Sequence, residues 1–141
     1  VKPGRVLIQT RQPEHPLLKT LLAEGYAGFA REALAIREAH ALPPFAAWAM
    51  VRAEARETPA IEAFLGRTRE ALLAHEGLLV QGPLPAQLAR RAGYRRAHLI
   101  VESRDRRVLN AALAAWAPLA HGWPEARRVR WSLDVDPLEV V

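Results

Sequence analysis

The sequence has no cysteine, which excludes disulfides and thiolate metal sites and leaves the redox compartment unmarked. It has no apolar run of bilayer length, and its start, VKPGRVLIQT, carries no signal-peptide pattern, so a cytoplasmic location is the default expectation. Neither GxxxxGKS/T nor GxGxxG occurs, which excludes the common phosphate-cradling loops, and the absence of GxSxG excludes a serine elbow. There is no HExxH. His15, His40, His75, His98 and His121 are scattered without ligand spacing, so no metal site is expected. Lysine is nearly missing as well: of 20 basic residues only Lys2 and Lys19 are lysine, and the rest are arginine. The chain also lacks an initiator methionine and enters an apolar run almost at once, as a piece of a longer protein would.

What is present is an ordinary globular composition of 141 residues, 50% hydrophobic and 25% charged, with a net charge of +5. That length suits one domain with a core, or a smaller domain plus an appendage. The arginine bias fits planar contacts to phosphate or carboxylate, and equally a GC-rich genome.

Along the chain, Arg5–Thr10 reads as a short buried strand, punctuated by Pro13–Pro16. Leu17–Glu24 and Tyr26–His40 read as two helices parted by Gly25. Leu42-Pro43-Pro44-Phe45 ends the helical stretch and sets a domain boundary, with residues 1–42 before it and 43–141 after. Ala46–Ala55 then reads as a strand. Thr58-Pro59 opens a helix with Thr58 as its cap, and Ile61, Phe64, Leu65, Thr68 and Leu72 fall on one face. Leu78–Gln81 and Tyr94–Glu102 are strands. Ser103 caps a helix burying Leu109, Ala112, Leu113 and Trp116, and Arg127–Val135 is the last strand. The order is βαββαβ. The predicted fold is α+β: a ferredoxin-like, four-stranded antiparallel sheet with two helices on one face, preceded by a strand and two helices.

Two arginine constellations stand out. Arg90, Arg91, Arg95 and Arg96 surround Gly93 and Tyr94 in a predicted loop, and no acidic residue lies between Gly82 and Val101. Concentrated positive charge on a rigid scaffold suits a phosphate backbone or an acidic peptide, with Tyr94 the nearest stacking candidate. Trp48, Trp131 and Trp116 have core spacing, and Trp123 is expected to be partly exposed. Arg106 and Asn110 lie four apart on one helix face, in and just after the first turn, where backbone N–H groups favour an anion. The plain alternative pairs Arg106 with Glu102 or Asp105. Asp134 and Asp136 fall on one strand face, but no third ligand or nucleophile accompanies them, so no catalytic residue is assigned.

The stretches IQTRQPEHPLL, YAGFAREALAIREAHALPPF, VQGPLPA and RRVRWSLDVDPLEV together resemble the C-terminal end of the bacterial primosomal replication-restart helicases, the PriA (primosomal protein N′) family. The resemblance runs through essentially the whole chain in order. It implies that residues 1–42 end the second helicase lobe and its connecting helices, and that 43–141 form a C-terminal domain resembling a ribosomal protein of βαββαβ type. Members of that family are 3′-to-5′ DNA helicases that use ATP with Mg²⁺ and carry zinc. The residues for those functions have no counterparts here, so the resemblance implies no cofactor and no catalysis for this piece. It implies binding to branched and single-stranded DNA at stalled forks, with Arg90, Arg91, Tyr94, Arg95 and Arg96 as the local candidates. It further implies binding of the acidic C-terminal tail of single-stranded DNA-binding protein at Arg106 and Asn110, where the family often has glutamine in place of Asn110. Other primosome proteins are implied as partners, with no membrane and a monomeric state. The alternative is a pure protein-interaction module whose arginines serve acidic partners without touching DNA.

Overall fold

The computed structural model describes residues 4–138, apart from the side chains of Gln87, Leu88, Arg90 and Arg91. The chain divides into two compact units, Val1–His40 and Ala41–Val141.

The first unit is helical. Helix α1, Pro16–Ala39, starts with proline in its first turn, where a missing N–H costs nothing, and is broken at Gly25, whose φ of 71° is not helical. The two arms match the two helices that the sequence predicts. They fold back on each other: Thr20 donates through its hydroxyl to Glu32, and Arg31 Nη2 donates to Glu24 Oε2 at 3.0 Å. The strand predicted at Arg5–Thr10 is not one. The segment is irregular, with Val6 86% and Leu7 82% exposed. An isolated strand leaves its backbone groups unpaired, and this unit offers no other strand among the described residues to satisfy them.

The second unit is the predicted α+β fold. Its elements are β1 Ala47–Ala55, α2 Thr58–Leu73, β2 Leu79–Arg91, β3 Tyr94–Ser103, α3 Arg106–Gly122, a 3₁₀ turn at Glu125–Arg128, and β4 Arg130–Val135. The four strands form one antiparallel sheet in the order β2-β3-β1-β4. Strand alternation places Ala47, Ala49, Val51, Ala53 and Ala55 of β1 in the core under the helices. Those small side chains leave room for large ones above them. Phe64 of α2 and Trp116 of α3 stand 5.5 and 5.4 Å, centroid to centroid, from the ring of Trp131 on β4. Helical spacing brings Ile61, Phe64, Leu65, Thr68 and Leu72, and likewise Leu109, Ala112, Leu113, Trp116 and Ala120, to the same buried layer. The other sheet face carries Trp48, Met50, Arg52 and Glu54 from β1, paired in register with Glu102, Ile100, His98 and Arg96 of β3. Trp48, expected in the core, therefore lies away from the helices.

Three local expectations change. The Arg90–Arg96 region is not a loop: β2 runs on to Arg91 and β3 starts at Tyr94, joined by the two residues Ala92 and Gly93. Both have positive φ, 49° and 82°, the backbone that a tight hairpin turn matching strand twist requires. Pro83 and Pro85 argue against a strand only in the interior of a sheet. β2 is an edge strand, and its register slips twice between Gln81 and Arg90, so the missing N–H groups break no continuous ladder. Gly82 stands at the first slip with φ 109°, where a Cβ would meet the His98 carbonyl oxygen at 2.8 Å.

The helix caps shift too. The α3 cap is Asp105, whose carboxylate accepts from Arg107 N at 2.8 Å, while Ser103 Oγ accepts from Asp105 N one step earlier. At α2 the cap position is Glu57, and Thr58 and Pro59 are already inside the helix. The last strand is shorter than predicted because Glu125–Arg128 coils before it.

Candidate functional site

The first candidate surface is the hairpin end of the sheet. Pairing puts Arg95 opposite Ala55 and Arg96 opposite Glu54. Successive strand residues face opposite ways, so Arg95 projects on the helix side of the sheet and Arg96 on the other. Arg95 and Arg96, expected in one cluster, thus lie on opposite faces. Arg95 is exposed. The side chains of Arg90 and Arg91 lie outside the described residues, although their backbones pair with Arg95 and Tyr94.

Two arginines distant in sequence join this end. Arg130 lies over the Tyr94 ring, 4.9 Å from its centroid, and Arg56 approaches the same ring at 5.8 Å. Each distance suits a cation–π contact. Arg130 lies on the last strand, and only the β1–β4 pairing brings it beside Glu54 and Tyr94. Charge neutralisation also comes from another strand. Glu54 sits 3.8 Å from Arg96 Nε and 3.6 Å from Arg130 Nη1. The absence of acid between Gly82 and Val101 is real along the chain and incomplete across the sheet. What remains on the face of the Tyr94 ring is Arg56, Arg96 and Arg130 with the Glu54 carboxylate among them, and Arg95 stands on the opposite face of the same sheet end. Planar guanidiniums beside a half-buried ring can contact phosphates, and the ring can offer a base a stacking surface.

Further along the same face, Arg52 Nη1 donates to Asp134 Oδ2 at 2.5 Å. His98, in register with Arg52, is buried, and its pKa is lowered first by burial and then by the Arg52 charge, so the imidazole is held neutral. Trp123, expected to be partly exposed, is half-buried: its ring lies edge-on to Phe64 and beneath Arg67 at 4.4 Å. No group of three or more His, Asp or Glu that could hold a metal stands together among the described residues. No helix of the described residues is long and apolar enough to cross a membrane.

The second candidate surface is the opposite end, at the start of α3. Arg106 and Asn110 are both exposed, one turn apart. Arg106 is paired with neither Glu102 nor Asp105 as the alternative reading had it. Its Nη1 donates to Asp136 Oδ2 at 2.6 Å and its Nη2 to Asp136 Oδ1 at 2.8 Å, a bidentate fork. That hydrogen bond holds the Asp136 carboxyl below the usual carboxylate range and pushes the guanidinium further up. Asp136 has left the strand: its φ is 55°, and its N–H donates to Trp48 O at 2.9 Å. Asp134 and Asp136 therefore do not share a strand face but serve different arginines, and the two do not form a paired-carboxylate site. Asp105 already caps α3 by accepting from the Arg107 N–H, while the Arg106 guanidinium holds Asp136. Beside it, beginning at Arg104, is a surface hollow of about 380 Å³ lined by Ala46, Leu78, Leu79, Glu102 and Ser103. Its lining sets the apolar side chains of Ala46, Leu78 and Leu79 beside the polar ones of Glu102, Ser103 and Arg104.

Residues 38–138 match the primosomal protein N C-terminal domain family. Among curated proteins, the chain is 37% identical over 99% of its length to the replication restart protein PriA of Haemophilus influenzae, and covers 19% of that protein. It is 32% identical over 72% of its length to the replication restart protein PriA of Thermotoga maritima, covering 14% of it. The chain thus spans a fifth or less of the relatives it matches. A de novo designed protein, Foldit4, shares the fold with a TM-score of 0.50 at 9% identity, covering 67% of this chain and 99% of the design. The family match over most of the sheet unit and the near-complete coverage by a relative agree, and the chain belongs to the primosomal protein N C-terminal domain family.

Proposed function

We propose that this chain is the non-catalytic, ligand-binding end of a replication-restart DNA helicase, and that it has two separate binding surfaces. Residues 1–42 would belong with the helicase lobe and 43–141 would form the C-terminal domain. The parent would be the ATP-dependent, zinc-carrying enzyme, working in the cytoplasm at the nucleoid. The observation that carries this reading is the placement of arginines at both ends of one rigid sheet, in a chain related to proteins named for replication restart.

At the hairpin end, Arg95 and Arg96, with Arg90 and Arg91 on the paired strand, would contact the backbone of branched or single-stranded DNA, and Tyr94 would stack on a base. Arg56 and Arg130 extend the same track. At the other end, Arg106 would take a carboxylate of the acidic tail of single-stranded DNA-binding protein, with Asn110 one turn on and the Leu78–Leu79 hollow receiving the tail's apolar end. In a full-length parent the helicase lobes would complete that pocket, so the isolated chain should bind the tail more weakly.

The test is a salt titration of labelled fork DNA. Log affinity should fall linearly with log salt, and Arg95→Ala with Arg96→Ala should reduce the slope by about one to two. The sharing of Glu54 by Arg96 and Arg130 favours the second reading, a protein-interaction module without DNA contact. An affinity indifferent to salt and to both substitutions would select it.

A further inference from the structure

The Arg106 receptor is already filled by the chain's own carboxylate. Asp136 takes both terminal nitrogens of the guanidinium end-on, a bidentate geometry that an incoming carboxylate could also adopt. Its position is set by the sheet and not by α3. The residue follows directly on β4, and its N–H is tied to the Trp48 carbonyl on β1. The surrounding segment, Asp134-Val135-Asp136-Pro137-Leu138, carries two carboxylates, and Leu138 is fully exposed. The Arg106 and Asp136 side chains are about half exposed, at 52% and 50%, so water and solutes reach the pair. Asp105 occupies the Arg107 N–H at the start of α3, which leaves an incoming carboxylate dependent on Arg106.

We propose that Asp136 is an internal competitor for the acidic peptide, so that the partner binds Arg106 by displacing it. The inference rests on the acidic-peptide reading of this surface. The exchange is between two carboxylates on one guanidinium, with no net change in the number of ion pairs, and it sets affinity below what a vacant arginine would give.

The experiment is fluorescence anisotropy of a labelled Asp-rich peptide ending in phenylalanine, titrated with the 141-residue chain. Asp136→Asn should tighten binding by up to about fivefold, the scale of an exposed ion pair. Asparagine tolerates positive φ, so the turn is retained. Asp134→Asn is the charge-matched control, because its carboxylate pairs with Arg52 instead. It should change affinity less than twofold, roughly the effect of general screening. An Asp136→Asn protein that binds equally or more weakly would make Asp136 a support for Arg106 and overturn the exchange, as would equal tightening by Asp134→Asn. Arg106→Ala separates the two levels. If it binds as well as wild type, or if nothing binds, the peptide reading fails and the exchange with it. If it alone loses binding while Asp136→Asn gains nothing, only the exchange fails. A readout on the unaltered chain is the carboxyl ¹³C resonance of Asp136. Its apparent pKa should rise toward the ordinary value when peptide saturates the site, and an unmoved resonance would contradict displacement.

Discussion

Arg106 shows how far a residue's role depends on its partner. Free in solution a guanidinium on a helix surface is a generic anion receptor. Here it is forked onto Asp136, thirty positions along the chain and outside its helix. The same dependence makes His98 the clearest pH probe. Burial and the Arg52 charge hold its folded pKa below the ordinary 6.5, so between those two values the unfolded chain binds the extra proton. Stability should therefore rise with pH across that window and level off above about 6.5. Thermal melts should give a lower midpoint at acid pH than at neutral pH, and His98→Gln should narrow the gap. A midpoint difference unchanged by that substitution would move the pH sensitivity to another group. The Asp136 carboxyl works in the same direction, in a more acid window. Its lowered pKa gives a contribution present above the ordinary value of 3.8 and lost as pH falls through the folded value.

At the scale of elements, the β2–β3 hairpin and the aromatic layer carry the fold. Gly93→Ala places a Cβ on a residue at φ 82° in a two-residue turn, and should cost about 1 kcal/mol in denaturant unfolding. Gly82→Ala should cost more, about 1–3 kcal/mol, because its Cβ would stand 2.8 Å from the His98 carbonyl oxygen, backbone that cannot swing aside. Phe64→Ala empties the space beneath α2 and beside Trp131, and should cost about 3–5 kcal/mol. Equal losses from all three would mean that the strain at Gly82 and the packing at Phe64 are not what they are taken for. These elements also mark what could be read in advance. The helices were legible because Ile61, Phe64, Leu65, Thr68 and Leu72 repeat at helical spacing, and β1 because its alanines alternate with larger residues. The hairpin was not. Pro83 and Pro85 are tolerated only because β2 lies at an edge, and edge position is a property of the sheet, invisible along the chain. Asp136 is the same case: nothing local to Arg106 points to a residue that a β4 ending and a Trp48 hydrogen bond bring across.

For the molecule as a whole, the sheet separates two chemistries. The hairpin end gathers Tyr94 with Arg56, Arg95, Arg96 and Arg130. The end where β3 enters α3 holds Arg106, Asn110 and the Leu78–Leu79 hollow. Strands of this length hold the ends apart, so a change at one should leave the other intact, as independent sites require. The central claim is that DNA and an acidic peptide use different ends of one domain. The direct measurement is anisotropy of labelled fork DNA and of labelled acidic peptide, each against wild type, Arg95→Ala with Arg96→Ala, and Arg106→Ala at fixed salt. The double substitution should weaken DNA binding by about tenfold or more and spare the peptide, and Arg106→Ala should do the reverse. Loss of both ligands by either variant, or of neither by both, would contradict the account.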